Sequence, residues 1–294
     1  MQKYLVAVSG GVDSVVLLDM LVGGNPPISH FLTPNSQYVV AHFDHGIRDD
    51  SAADARFVEA LARGYGLKYV GGKASLGKSS SEEQARMARY DFLFKEAKKL
   101  NATILTAHHR DDMIETIAIN ISRGTGWRGL AVLGRVSVDR PLIALKKAEI
   151  YDYAIKNHLE WVEDETNRTE QYLRNRMRRT ISQNLTSDAA DKLVVLRDQQ
   201  IALRDQIDTE TSRLLGLYVS DGTMTRYELI NMPGDAAVEV LDGYLRAQLG
   251  RSLTRPQLIR ALLAIKTATP GSTAEIGDRL KIKFEKRTLS IGVL

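Results

Sequence analysis

The 294 residues contain no cysteine. That absence excludes disulfides, thiolate zinc centres, iron–sulfur ligation and any mechanism that carries sulfur as a persulfide. No stretch approaches the ~18 uninterrupted apolar residues that a membrane-spanning helix needs. Met1-Gln2-Lys3-Tyr4 runs straight into an apolar segment without a leader pattern, so the sequence reads as that of a cytoplasmic protein without a membrane partner. Charge of one sign is also scarce: 40 basic residues face 36 acidic ones, for a net +4. So small a lean does not establish a polyanionic partner, and the question passes to where the basic residues lie. The 44% hydrophobic and 26% charged content fits a globular chain with enough core for one large domain or two ordinary ones.

The first half alternates. Apolar, β-branched runs at Tyr4–Ser9, Tyr38–Asp44, Leu67–Gly71 and Thr103–His108 read as buried strands. Helices are expected at Val15–Val22, Ser51–Tyr65, Ser81–Leu100 and Met113–Ser122. In the third, Met87, Tyr90, Leu93, Ala97 and Leu100 recur at spacings of three and four. Such repetition predicts an α/β fold, a Rossmann-like parallel sheet with helices on both faces, with ligands beyond the carboxyl ends of its strands. A fifth apolar segment, Arg140–Leu145, precedes a helix over Lys147–His158, and the proline-bearing stretch 25–37 reads as a surface loop. Leu193, Leu196, Leu203 and Ile207 stripe a connecting helix. Beyond it, helices are expected at Val238–Leu249 and from Thr254, and alternation over Leu280–Phe284 and Leu289–Val293 predicts a hairpin turning at Lys286-Arg287. The expected division is a main domain over 1–185, a connecting helix over 186–216 and a smaller, basic α+β C-terminal domain over 217–294.

Ser9-Gly10-Gly11-Val12-Asp13-Ser14 joins the first strand to the first helix. Consecutive N–H groups at a helix start attract a phosphate through unsatisfied donors and the helix dipole. Glycines permit close approach, and the hydroxyls of Ser9 and Ser14 add donors. The turn lacks the lysine of a P-loop and carries a carboxylate, Asp13, in its middle. A magnesium ion between Asp13 and the phosphates would account for the carboxylate.

Further polar groups follow the other strands. Asp44 and His45 end the second; Asp44 reads as a ligand-binding carboxylate or as a cap for the next turn. His108, His109, Asp111, Asp112 and Glu115 follow the fourth. Asp112 and Glu115 share a helix face at i and i+3, although the dipole favours acids at a helix start whether or not they bind anything. The histidines read as general bases or as hydrogen-bonded structural residues. Arg123 with Gly124 and Gly126 is a phosphate-meeting loop or a helix C-cap. Arg168, Arg174, Arg176, Arg178 and Arg179 stand against Glu170 alone, an all-arginine run that suits bidentate phosphate contacts. From Arg251 onward nine basic residues face three acids. Lys281 and Lys283 line the hairpin's polar face, either for an RNA backbone or as an edge that resists aggregation.

The hexapeptide resembles the pyrophosphate loop, Ser-Gly-Gly-x-Asp-Ser, of the N-type ATP pyrophosphatases. Together with Ala41–Arg48, Glu83–Tyr90, Thr106–Thr116, Arg123–Gly126, Arg140-Pro141-Leu142, Glu163-Asp164 and Arg174–Arg178, the stretch from about Val6 to Arg179 is similar to the tRNA(Ile)-lysidine synthetases. Met113 stands where that family usually has glutamine, and Glu165-Thr166 replaces a proline–serine pair. The resemblance implies that AMP from ATP passes to the C2 oxygen of the wobble cytidine in an isoleucine tRNA, and that L-lysine then displaces it to give lysidine. Joined to the residue-level reading, it points to ATP held by Ser9, Gly10, Gly11, Val12, Asp13, Ser14, Arg86 and Arg123, and to Mg2+ on Asp13 and Asp112. Catalysis would fall to Asp13, Asp44, His109, Asp112 and Glu115. Contacts to the tRNA, whose anticodon loop reaches the site, would come from Arg174, Arg178, Arg179, Lys281 and Lys283; a homodimer is allowed. The rivals are tRNA thiolation, which usually relies on cysteine, and a non-catalytic nucleotide- or RNA-binding protein.

Overall fold

In the central strand, β1 (Lys3–Ala7), alternate side chains enter different cores. Leu5 packs with Val39, Leu93 and Ile104 on one face, and Val6 with Val40, Leu17 and Leu105 on the other. A strand buried on both faces is what a helix-covered parallel sheet requires. The computed structural model describes residues 2–24, 28, 36–46, 51–74, 81–134, 137–163, 177, 180–181, 185–277 and 280–293. The expected loop over 25–37 falls mostly outside these, and so do Arg174, Arg178 and Arg179.

Five parallel strands run in the order β3-β2-β1-β4-β5, with β2 at Gln37–Asp44, β3 at Lys68–Lys73, β4 at Thr103–Leu105 and β5 at Val138–Asp139. Helices α1 (Val12–Gly23), α2 (Ser51–Gly64) and α5 (Lys147–Lys156) supply Leu17, Val58 and Ile150 to one face; α3 (Glu82–Leu100) supplies Tyr90, Leu93 and Ala97 to the other. Ser81 caps α3 through a capping box with Gln84. Helix α4 (Arg110–Ser122) buries Met113, Ile114 and Ile117. The expected Rossmann-like sheet with helices on both faces is present. The chain leaves β1 for β2 on one side and returns to β4 on the other, so the switch point lies between the carboxyl ends of β1 and β4.

The fifth apolar segment, Arg140–Leu145, does not join the sheet. Residues 141–144 form turns, and the fifth strand is Val138–Asp139, paired with Ile104 and Leu105. Pro141 has no N–H for a ladder, and its apolar neighbour Leu142 reaches the core from a turn.

Packing divides the chain into Met1–Thr125 with Val132–Arg197, and Gly126–Ala131 with Asp198–Leu294. Helix α6 (Ser187–Tyr218) contributes residues to both. The second unit has an antiparallel sheet in the order β6-β7-β10-β9-β8, from Val219–Ser220, Thr223–Thr225, Thr288–Val293, Leu280–Phe284 and Thr273–Gly277. Helices α7 (Arg226–Asn231), α8 (Gly234–Leu249) and α9 (Arg255–Thr267) complete it. Leu280, Ile282 and Phe284 face a core with Leu241, Tyr244 and Leu245, and the hairpin turns at Lys286-Arg287 as expected. Among the described residues no helix is long and apolar enough to cross a membrane.

Asp19 ties α1 to α5 and to the turn after α2, accepting from Tyr153 Oη at 2.8 Å and from Tyr65 Oη at 2.7 Å. Tyr65→Phe and Tyr153→Phe should each lower stability by about 1.5–3 kcal/mol, as for hydrogen bonds to charged acceptors. Urea unfolding followed by circular dichroism measures this; unchanged midpoints in both variants would remove Asp19 as a tie.

Candidate functional site

The turn after β1 curls around an oxygen. Ser14 Oγ accepts from the N–H groups of Ser9 (3.2 Å) and Gly10 (3.3 Å) and donates to Gly11 O at 2.8 Å. Gly10 holds φ +96°, a conformation that L side chains rarely adopt, and its carbonyl accepts from Val162 N–H at 2.9 Å. Gly11 is the N-cap of α1 and has no side-chain cap, so the first N–H groups of this helix are available to an anion.

Beside it lies the start of α4. His109 is 4% exposed, and its Nε2 lies 3.8 Å from Asp13 Oδ1 and 3.4 Å from Asp112 Oδ2. Its Nδ1 lies 3.5 Å from Asp111 Oδ2 as an ion contact rather than a well-directed hydrogen bond. Burial lowers the His109 pKa, but the Asp111 contact and the charges of Asp112 and Asp13 outweigh it, and the net shift is upward. Asp111 moves the other way, from 3.8 to about 2, chiefly through His109 and helped by the Lys147 backbone N–H. Asp112 Oδ2 also accepts the His109 N–H at 3.1 Å, closing the first turn of α4, so its capping role is real.

Lys147 was expected only as a helix start and not as a site residue. Its Nζ donates to Asp13 Oδ1 at 2.5 Å, and its backbone N–H donates to Asp111 Oδ2 at 2.7 Å. The one local signal was a lysine in the first turn of α5, where the helix dipole disfavours a cation. Its partner stands 134 positions away.

The remaining candidates are more dispersed. Asp44, 7% exposed, accepts Gly46 N–H at 2.8 Å and lies 3.5 Å from Lys73 Nζ, so it does cap its own turn. Glu115 is buried at 2% exposure. His108 is hydrogen-bonded to Thr106 Oγ1 at 2.8 Å, and burial, opposed by Asp112 and reinforced by Arg140, lowers its pKa to about 3. Burial likewise lowers His45. Arg86 is exposed and rests over the Tyr90 ring at 5.1 Å. Arg123 is the exposed C-cap of α4, followed by Gly124 at φ +68°. In the second unit Lys283 pairs with Glu285 at 2.8 Å, and half-buried Lys281 registers opposite Glu275.

Mg2+ shared with substrate phosphates takes only one or two protein carboxylates. Asp13 and Asp112 converge on one imidazole nitrogen, and Asp13 already holds a cation, the Lys147 ammonium. That pair therefore fits a divalent ion. Among the described residues no group of three or more His, Asp or Glu side chains is placed to hold a metal.

A parallel sheet with a glycine turn at its switch point and carboxylates beside it defines an α/β protein of the kind that places ligands at the strand ends. The family model for the PP-loop domain matches residues 1–185, and the chain belongs to that family, whose members use ATP. The chain is 41% identical over 189 residues to a tRNA(Ile)-lysidine synthase from Thermotoga maritima, covering 61% of this chain and 44% of that protein. It is 31% identical over 314 residues to the Bifunctional protein TilS/HprT of Listeria monocytogenes, covering 95% of this chain and 46% of that one. It thus spans somewhat less than half the length of these relatives. The U34-tRNA thiolase NcsA from Methanococcus maripaludis, solved with its 4Fe-4S cluster, superposes with a TM-score of 0.56 at 19% identity, over 69% of this chain and 72% of that one. That is a likeness of fold.

The shifts at His109 and Asp111 set a pH window. The raised His109 adds stability that is full below pH 6.5 and is lost as pH rises through its folded pKa. The lowered Asp111 adds stability present above pH 3.8 and lost as pH falls towards about 2. The gap in melting temperature between the parent and Asp111→Asn should be widest between those limits and close towards pH 2. A gap independent of pH would contradict the assignment.

Proposed function

We propose that the chain ligates L-lysine to C2 of the wobble cytidine of an isoleucine tRNA, converting ATP to AMP and pyrophosphate. The observation that carries this reading is the meeting of Asp13, His109 and Asp112 at the switch point, beside the Ser9–Ser14 cradle, in a chain 31–41% identical to lysidine-synthase relatives.

The chemistry explains why those groups are needed. A cytosine C2 carbonyl has no leaving group. In the first step its oxygen attacks the α-phosphorus, the bond to the β-phosphate bridge breaks and pyrophosphate departs. The N–H groups at the start of α1 take up the growing negative charge. Mg2+, when bound at Asp13 and Asp112, would supply further neutralisation of the phosphates. In the second step the lysine ε-amine forms a bond to C2, and AMP leaves with the former carbonyl oxygen.

The incoming ammonium, with an unperturbed pKa of ~10.4, must first lose a proton. Among Asp44, His109, Asp112 and Glu115, His109 is the base this reading selects: its pKa is raised, and its Nε2 faces the crevice between Asp13 and Asp112. Asp44 and buried Glu115 are left to hold the nucleoside and the lysine ammonium. A splayed anticodon base is reachable in a way that a stacked one is not. Arg174, Arg178, Arg179, Lys281 and Lys283 are the cations assigned to the tRNA backbone, the last of them after release from Glu285.

The test uses the full chain with ATP, labelled lysine and an isoleucine tRNA transcript. Label should enter tRNA only with ATP, survive deacylation of esters, and fall at least about a hundredfold in Asp13→Ala, the scale of losing a positioned charge-stabilising group. No incorporation by folded protein that binds ATP would overturn the proposal.

A further inference from the structure

The turn after β1 raises two questions, why it has no lysine and why it has an aspartate, and one contact bears on both. Lys147 is fixed at both ends, its ammonium on Asp13 at 2.5 Å and its backbone N–H on Asp111 at 2.7 Å. Three carboxylates, Asp13, Asp111 and Asp112, lie within 4 Å of the His109 ring, and Glu115 is buried on the same helix. Without a counter-charge Asp13 would meet strong repulsion from its neighbours. Lysine stands in the first turn of α5 despite the dipole, so its place is set by what lies across the crevice. Its side chain keeps 37% exposure, and its ammonium sits 5.3 Å from the Tyr151 ring centroid; it is paired but not sealed in.

We propose that Lys147 is the lysine the glycine turn lacks. With the site empty it neutralises Asp13. With a nucleotide bound, Asp13 would be the residue that holds the accompanying divalent cation, and the Lys147 ammonium moves to oxygens of the β- and γ-phosphates. A flexible four-carbon stem with three donors suits such a short transfer, and a charge-assisted contact to phosphate replaces the one to carboxylate. The residue thus holds pyrophosphate as it departs, and in the empty protein it competes with metal for Asp13. This rests on the ATP-cleaving half of the proposed function and is independent of which acceptor takes the AMP.

The experiment is calorimetry on the full chain with inorganic pyrophosphate plus Mg2+, and separately with Mg2+ alone. Lys147→Gln should bind pyrophosphate at least about tenfold more weakly, the loss of one charge-assisted hydrogen bond, and Mg2+ alone more tightly, because Asp13 is freed. Lys147→Arg should keep pyrophosphate affinity within about threefold, since the charge and donors persist. Equal pyrophosphate affinity in parent and Lys147→Gln overturns the proposal, as does an equal loss in Lys147→Arg and Lys147→Gln, which would reduce the side chain to packing. A second measurement needs no variant: pyrophosphate with Mg2+ should shield Lys147 in the parent from an amine-acylating reagent, read by mass spectrometry, and unchanged labelling would contradict the transfer. Protein that passes these tests yet attaches no lysine to tRNA would fail the lysidine reading alone.

Discussion

The ion pair between Asp13 and Lys147 joins the first turn of α1 to the first turn of α5, and the arrangement of the crevice follows from it. Sheet order places β1 beside β4, which brings α1 and α4 to one rim. The pair then fixes α5 against both, since the same Lys147 donates its backbone N–H to Asp111 of α4, and Arg110 N–H reaches Leu145 O at 2.9 Å. Farther along the same helices, Asp19 and Tyr153 repeat the tie. Three helix starts are tied together in this way, and α1 is the one whose N-cap, Gly11, makes no side-chain cap.

That convergence carries an electrostatic cost which the residues divide among themselves. Acids at the start of α4 are favoured by the dipole, but Asp111 and Asp112 also surround a buried imidazole and raise its pKa. Lys147 is the counter-charge to Asp13 when no ligand is bound, and the His109 ring lies among the three carboxylates. In the proposed reaction the carboxylates would hold a metal, the ammonium a phosphate and the imidazole a substrate proton. The Asp13 carboxylate is thus compatible with a cradle built for anions.

How much of this was legible in the sequence depended on range. The strand, turn and helix from Lys3 to Gly23 are local, so hydrophobic period and the glycine pair sufficed to mark them. The proximity of Asp112 to His109 is also local, lying within one helical turn. The fifth strand, Val138–Asp139, went unread because two residues carry no period of their own, and the apolar run Arg140–Leu145 after it forms turns. Lys147 was illegible because nothing in a lysine pair at a helix start names a partner 134 positions earlier. For Asp44 and Arg123 both readings were visible beforehand, and the geometry supplies the capping half of each.

The central claim is that Asp13 is a cation-exchange point. It is tested most directly by a crystal structure of the full chain with Mn2+ and a non-hydrolysable ATP analogue, the metal located by anomalous scattering. The account predicts Mn2+ coordinated by an Asp13 carboxylate oxygen at about 2.0–2.2 Å, near the spacing of hard-cation oxygen ligands, with Lys147 Nζ on a β- or γ-phosphate oxygen. A metal bound elsewhere, with Lys147 still seated on Asp13, would contradict it.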